Sequence, residues 1–426
     1  MLRPKPWLTF VAGTLTGAAV MAALFLIGPL AGPQELEPGE LVIISGQDDS
    51  TGGQRQQLIN LWNDSHPHNQ ARIVIVPAAS DGQYSEMTGR SQDDGTDIFN
   101  LDSNWTAFFA DPPSGRRLIR PIDESLLAEK PDQAFMKKPL DTCRYAEKLW
   151  ALPFNTDAGL LYYRLDQGLK PPFTWASIRE AGKQRKNFEA AWTGQLNNYE
   201  GLTVNVLEAV WAQGSDIRVG ADGRVSLDLA KVNAAVKLLT PPREEKPRLI
   251  LPDALTSFED GSRSDFQEGR VLFMRNWPVQ YRLMLTGDRP APGGKPVSFG
   301  VAQLPGGSVL GGQNLAISER TKKPRAAQAL IEFLTGDHAQ TNLFVEGGFA
   351  ATRSRVYEDE AIKQKYQAYL PQLREAIDGA RARPVSPNYV AFSQRLSEQV
   401  YEVLTGRQPA LPADLADQLT RALQGR

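Results

Sequence analysis

The stretch with the clearest capacity for recognition is Val271–Tyr281, where Trp277 stands between Asn276 and Pro278. Val271–Met274 is a short apolar run behind Gly269 and reads as a buried strand. Pro278 stops that strand and fixes the backbone just beyond the indole. A ring held at a strand end beside Arg275 and Asn276 can stack on a flat, partly apolar ligand while neighbouring donors and acceptors orient it. The plainer reading is that Trp277 plugs a core.

Polar residues recur at comparable positions. Thr96–Asp102 reads as a strand ending in Asp102, with Trp105 close by; Asp102 either caps the next helix or faces a ligand. Lys148–Phe154 and Gly159–Arg164 read as strands around a turn at Asn155-Thr156-Asp157, whose Asn and Asp are turn formers or cleft residues. Glu200, after Tyr199, begins a helix, where an acidic residue also suits the dipole, and Glu259 lies in a helical first turn. Gly311-Gly312-Gln313-Asn314 precedes an apolar strand, its glycines suited to close ligand approach or hinge rotation. Hydrogen bonds to charged partners contribute roughly 1.5–3 kcal/mol each, so such a set can hold a neutral ligand without a metal.

These groups need a scaffold. Leu41–Ser45 is a strand, Leu58, Leu61 and Trp62 mark a helix, and Ala71–Pro77 alternates as a second strand. Strand–helix–strand at this spacing predicts a parallel sheet, whose ligands bind beyond the carboxyl ends of its strands. Gln47–Ser50 then falls at a site rim. Asp222-Gly223 predicts a hairpin within Val219–Leu227, and Tyr357–Ala380, Gln394–Leu404 and Asp414–Leu423 predict helices.

A chain of 426 residues exceeds one ordinary core, and 41% hydrophobic with 23% charged residues describes a globular protein. A net charge of −2 without a basic stripe excludes nucleic acid as partner. The lone Cys143 excludes an internal disulfide framework and a cysteine zinc site; His66-Pro67-His68 reads as a solvated turn rather than a metal site. No cofactor is expected. Arg3 and Lys5 precede an uncharged run, Trp7–Ala31, whose 25 residues would form a helix of roughly 37 Å, long enough to span a bilayer. A membrane anchor with the body outside the cell is the expectation, cleavage near Ala31-Gly32 the alternative.

Six segments in order carry a resemblance: Thr-Asp-Ile-x-x-Leu-Asp-x-x-Trp (96–105), Pro-Phe-Asn-Thr-Asp-Ala-Gly-Leu-Leu-Tyr-Tyr-Arg (153–164), Tyr-Glu-Gly-Leu (199–202), Phe-Met-Arg-Asn-Trp-Pro (273–278), Gly-Gly-Gln-Asn-Leu-Ala-Ile-Ser (311–318) and Arg-Pro-x-x-Pro-x-Tyr (383–389). Across 41–426 the chain resembles extracellular solute-binding proteins of ABC sugar importers, in particular their trehalose/maltose-binding branch.

The resemblance implies a two-lobed, periplasmic-binding-protein-like α/β fold of type II with a hinge. An anchor or signal would occupy 1–32, a linker 33–40, one lobe about 41–155 and 315–355, and the other about 156–314 and 356–426. It implies a monomer that holds a sugar in its cleft and delivers it to permease subunits. Asp102, Asn155, Asp157, Trp277, Gly312 and Arg383 would contact the sugar, with Tyr199, Glu200 and Glu259 carried over less firmly. Trp105 and Gln313 complete the candidate set, and Asp48 or Asp49 would supply the first loop. Two departures stand out. No lipid-modifiable cysteine follows the apolar run, and Val279 stands where an aromatic residue commonly follows Trp-Pro. Paired carboxylates would also serve a glycoside hydrolase, although no acid–nucleophile pair is singled out. A membrane-anchored sugar sensor without import is the other alternative.

Overall fold

In the computed structural model the described residues are 35–50, 52–77, 80–242, 248–286 and 296–426. The chain divides after Leu36 into a short N-terminal unit and a body, Glu37–Arg426. The expected membrane anchor, 7–31, lies outside the described residues. Among the described residues no helix is long and apolar enough to cross a membrane.

Two sheets carry the body. The first is ordered β2 (Ala71–Ile75), β1 (Leu41–Ser45), β3 (Ile98–Asp102), β11 (Leu310–Ser318) and β4 (Ile119–Arg120), with β5 (Ala151–Ala158) also paired to β11. β1 runs parallel to β2 and β3, as the strand–helix–strand spacing requires. The second sheet is ordered β8 (Arg248–Ile250), β7 (Ala190–Thr193), β9 (Val271–Asn276), β6 (Leu160–Arg164) and β10 (Phe299–Ala302). Every residue of the central β9 is buried, which is why its first four residues, Val271–Met274, are apolar without alternation and its last two, Arg275 and Asn276, need buried partners. Helices Glu200–Ala212, Leu229–Leu239 and Tyr389–Leu404 contribute to one core with β7 and β9.

The chain passes from the first sheet to the second through a single residue, Gly159. A Cβ there would lie 2.5 Å from Glu208 Oε1 and 2.7 Å from Arg275 Nη2, so only glycine fits over this buried ion pair. The turn expected at Asn155–Asp157 does not form. Asn155, Thr156 and Asp157 pair with Gln313, Gly312 and Gly311 inside β5, and this ladder overrides their local turn preference.

Two further expectations change. Tyr357–Ala380 is not one helix but Ser354–Glu358, Glu360–Lys365 and Leu370–Gly379. Asp359 accepts from the amides of Ala361 and Ile362 and so starts a new helix, and Pro371 opens the third. The expected division at 314/315 falls inside β11, which pairs in the first sheet from Leu310 onward. The hairpin stands: Ile217–Val219 pairs with Val225–Leu227, and Gly223 takes φ 75° between them.

Candidate functional site

Asp102 ends β3, Glu200 opens the helix packed beside the second sheet, and Arg383 links them. Its Nη2 donates to Asp102 Oδ1 at 3.0 Å and its Nη1 to Glu200 Oε1 at 2.8 Å, with the Arg383 side chain only 4% exposed. Glu200 is fully occupied, accepting also from Tyr389 Oη (2.6 Å) and Ser393 Oγ (2.5 Å). Burial pushes its carboxyl up, against the pull of Arg383, Ser393 and Tyr389. Glu200 therefore holds Arg383 in place, with both its oxygens engaged by neighbouring side chains.

Trp277 follows the end of β9. The Arg275 guanidinium lies 3.8 Å from its ring centroid, while that arginine binds Glu208 through Nε (2.9 Å) and Nη2 (2.8 Å). Arg275 and Asn276, expected to orient a ligand, are turned inward instead. Asn276 Nδ2 donates to Glu259 O and Ser262 Oγ, and its Oδ1 accepts from the Trp277 amide. Buried polar groups must be paired, and these two satisfy that demand by fixing the indole. Trp277 Nε1 donates to Glu259 Oε1 at 3.3 Å, the same oxygen that takes Tyr199 Oη at 2.8 Å. A Cβ on Gly311 would lie 3.2 Å from Asp157 Cβ and 3.4 Å from the indole, so the two side chains meet over bare backbone.

At that meeting point the polar groups are incompletely paired. Asn155 Nδ2 donates to Asp157 Oδ2 at 3.3 Å, but Asn155 Oδ1 and Asp157 Oδ1, on the same face of β5, are buried without a partner. Each such group costs about 1–3 kcal/mol, which a hydroxylated ligand would recover. Burial, and then the Asp102 carboxylate, push the Asp157 carboxyl up to about 8, against Arg275 and Arg55. A protonated Asp157 can donate as well as accept.

The folded chain therefore holds a proton here that the unfolded chain releases near pH ~4. The stability this contributes is complete below that value and is lost as pH rises through about 8. Asp157→Asn is expected to flatten the fall in urea midpoint between about pH 5 and pH 8. An unchanged fall in the variant would show that Asp157 is ionised throughout.

The first loop divides its two acids. Asp48 accepts from the amides of Ser50 (3.0 Å) and Arg55 (3.2 Å) and so shapes the loop. Asp49 is exposed at the rim; the surrounding protein, with Asp260, Glu259 and Asp48, pushes its carboxyl up to about 6 against Arg55. Arg55 itself was not among the expected residues. It is buried, donates to Gln313 Oε1 (2.6 Å) and Ser45 Oγ (3.2 Å), and lies over the Phe349 ring at 4.9 Å. A signal existed: Arg55 precedes Leu58, Ile59 and Trp62 at spacings that put a charge on the apolar face of helix Gln54–Ser65. Gln313 also accepts from Asn100 Nδ2 at 3.1 Å, so its oxygen is held by the scaffold.

Three further placements differ in kind. Trp105 is 4% exposed and packs edge-on against Tyr84 at 5.7 Å, so it fills the core rather than presenting a face. Gly312 serves through its backbone: φ is 122°, and a Cβ would fall 2.3 Å from Asn155 O. A cavity of about 250 Å³ lies beside Arg383, lined by Ser103, Asn104, Thr142, Leu310 and Val385, but Asn155, Asp157 and Trp277 do not line it. Among the described residues no group of three metal-ligating side chains occurs, and His66 stacks on Trp62 at 3.6 Å.

Two mixed β-sheets flanked by helices carry this polar and aromatic set. The chain belongs to the bacterial extracellular solute-binding protein family, whose match spans residues 65–369. A probable ABC transporter-binding protein of Deinococcus radiodurans is 29% identical over 385 residues, 84% of this chain and 87% of that one. Among solved structures, maltose-bound T. maritima MalE3 superposes with a TM-score of 0.79 at 25% identity, covering 91% of this chain and 99% of its own. The GacH receptor of Streptomyces glaucescens, solved unliganded and with acarbose, shares the fold at a TM-score of 0.74 and 18% identity, over 91% and 99% of the two chains.

Proposed function

We propose that this chain is the substrate-binding component of an ABC transporter, and that it captures a sugar between two lobes and delivers it to the permease. A disaccharide such as trehalose or maltose is the favoured ligand. The observation that carries this reading is the half-buried Trp277 ring and Asp157 flanking the bare backbone of Gly311, with Asn155 hydrogen-bonded to Asp157 and a buried, unpartnered oxygen on each of the two. A pyranose offers C–H faces to an indole and hydroxyls to carboxylates, amides and guanidinium. The Deinococcus relative, a probable ABC transporter-binding protein, and the maltose-bound MalE3 structure support it. In this proposal the lobes are built around the two sheets, and Arg383, tied to Asp102 and Glu200, lies where they join.

The uncharged run at 7–31 is proposed to anchor the body outside the membrane. Membrane fractionation with N-terminal sequencing tests this, and an N-terminus near Pro33 would refute it. For the ligand, the test is a thermal-shift screen of the body against glucose, trehalose, maltose and maltotriose, followed by calorimetry. Stabilisation by one or more sugars, without release of new reducing ends, is expected. No stabilisation by any of them would overturn the sugar reading, and new reducing ends would point to hydrolysis.

A further inference from the structure

The two oxygens left over at Asn155 and Asp157 are both acceptors, buried and without a partner, and Asn155 is only 4% exposed. Strand register sets Asn155 and Asp102 opposite Gln313 on either side of β11, and Asp157 opposite Gly311. Two apart on one strand, Asn155 and Asp157 share a face. What this face lacks is a donor.

It also lacks positive charge, because the three arginines nearby are engaged elsewhere. Arg275 is held by both Glu208 oxygens, and Arg383 by Asp102 and Glu200. Arg55 donates to Ser45 Oγ, Gln47 O and Gln313 Oε1 beside Asp48. Among the described residues Asp49, Asp157 and Glu259 form no ion pair. After burial, Asp102 of β3 and Asp49 of the first loop push the Asp157 carboxyl up, against Arg275 of β9 and Arg55 of helix Gln54–Ser65. The phenols of Tyr162, Tyr357 and Tyr369, which also sense Asp157, are held neutral by burial. A hydroxyl brings one donor and no charge to such a face, whereas a primary ammonium brings three donors and a full charge. A metal ion would need a further ligating side chain, and no group of three occurs among the described residues.

We infer that the preferred sugar carries a protonated amine, which donates to Asp157 Oδ1 and Asn155 Oδ1 and supplies the positive charge this face lacks. This rests on the sugar reading proposed above and narrows its ligand class. An ammonium holds Asp157 ionised, so the proton that the carboxyl keeps below about pH 8 leaves as the ligand binds. Affinity for the aminated sugar therefore rises as pH approaches 8, while a neutral sugar binds the protonated carboxyl and releases nothing.

The test is calorimetric titration of the full chain with trehalose, maltose, their singly aminated derivatives (one hydroxyl exchanged for an amine) and the N-acetyl forms of these. At least one aminated sugar is expected to bind about tenfold tighter than its parent, with the gain lost on N-acetylation. Its affinity should climb between about pH 6 and pH 8, and its binding heat should vary with the ionisation enthalpy of the buffer, both without any mutation. Asp157→Asn should abolish the difference between aminated sugar and parent. Aminated sugars that bind no tighter than their parents, or an advantage that survives in Asp157→Asn, would overturn the inference while binding of trehalose or maltose upholds the sugar reading. Failure to bind any of these sugars would overturn both.

Discussion

Trp277→Ala is expected to weaken sugar binding by about tenfold or more, equivalent to about 1.4 kcal/mol, while the protein stays folded. The indole is an apolar surface that stands with Asp157 of β5 around the bare backbone of Gly311. It sits on the Arg275 guanidinium at 3.8 Å and donates to Glu259. Truncation removes the stacking face, leaves Glu259 Oε1 with Tyr199 as its remaining donor and uncovers the Arg275 guanidinium. Phe at this position would keep stacking but lose the donor, and is expected to recover part of the affinity. Calorimetry on the folded variant decides the point, since an affinity equal to the wild type would remove Trp277 from the site.

The second large effect is on stability. Arg275 is 1% exposed, and both Glu208 oxygens are committed: Oε2 to Nε at 2.9 Å, Oε1 to Nη2 at 2.8 Å and to the Val309 amide at 3.1 Å. Glu208→Ala leaves a buried guanidinium without its counter-charge, which costs about 3–5 kcal/mol. The expected result is a marked fall in the urea midpoint, with weakened ligand binding because Arg275 also supports Trp277. Replacing both partners by apolar residues of similar volume should be far less damaging. A Glu208→Ala protein within about 1 kcal/mol of the wild type would show that the pair is not needed for stability.

Much of this architecture was legible in the sequence because burial leaves a pattern. Leu41–Ser45 and Val271–Met274 are apolar without interruption because they lie inside their sheets, and Asp222-Gly223 specifies its hairpin locally. Asn155 and Asp157 carry a local turn preference, but their extended conformation is imposed by β11, far away in sequence. Arg55 went unnoticed for a related reason: its partners Ser45, Gln313 and Phe349 come from separate parts of the chain. The inward turn of Arg275 likewise depends on Glu208, on a helix that no local rule connects to β9. Motif order singled out the candidate side chains, but which of their atoms are already spent on the scaffold follows only from three-dimensional contacts.

The placement of β11 has a consequence for biosynthesis. β3 and β5 are both made early, yet the strand that joins them, Leu310–Ser318, comes only after the whole second sheet has been synthesised. Until then a nascent chain carries two raw, apolar strand edges, the kind of surface that invites association with other chains. Completion of the first sheet is a late, long-range closure, so this protein should fold slowly for its size and remain unfinished long enough for export machinery to receive it before it locks.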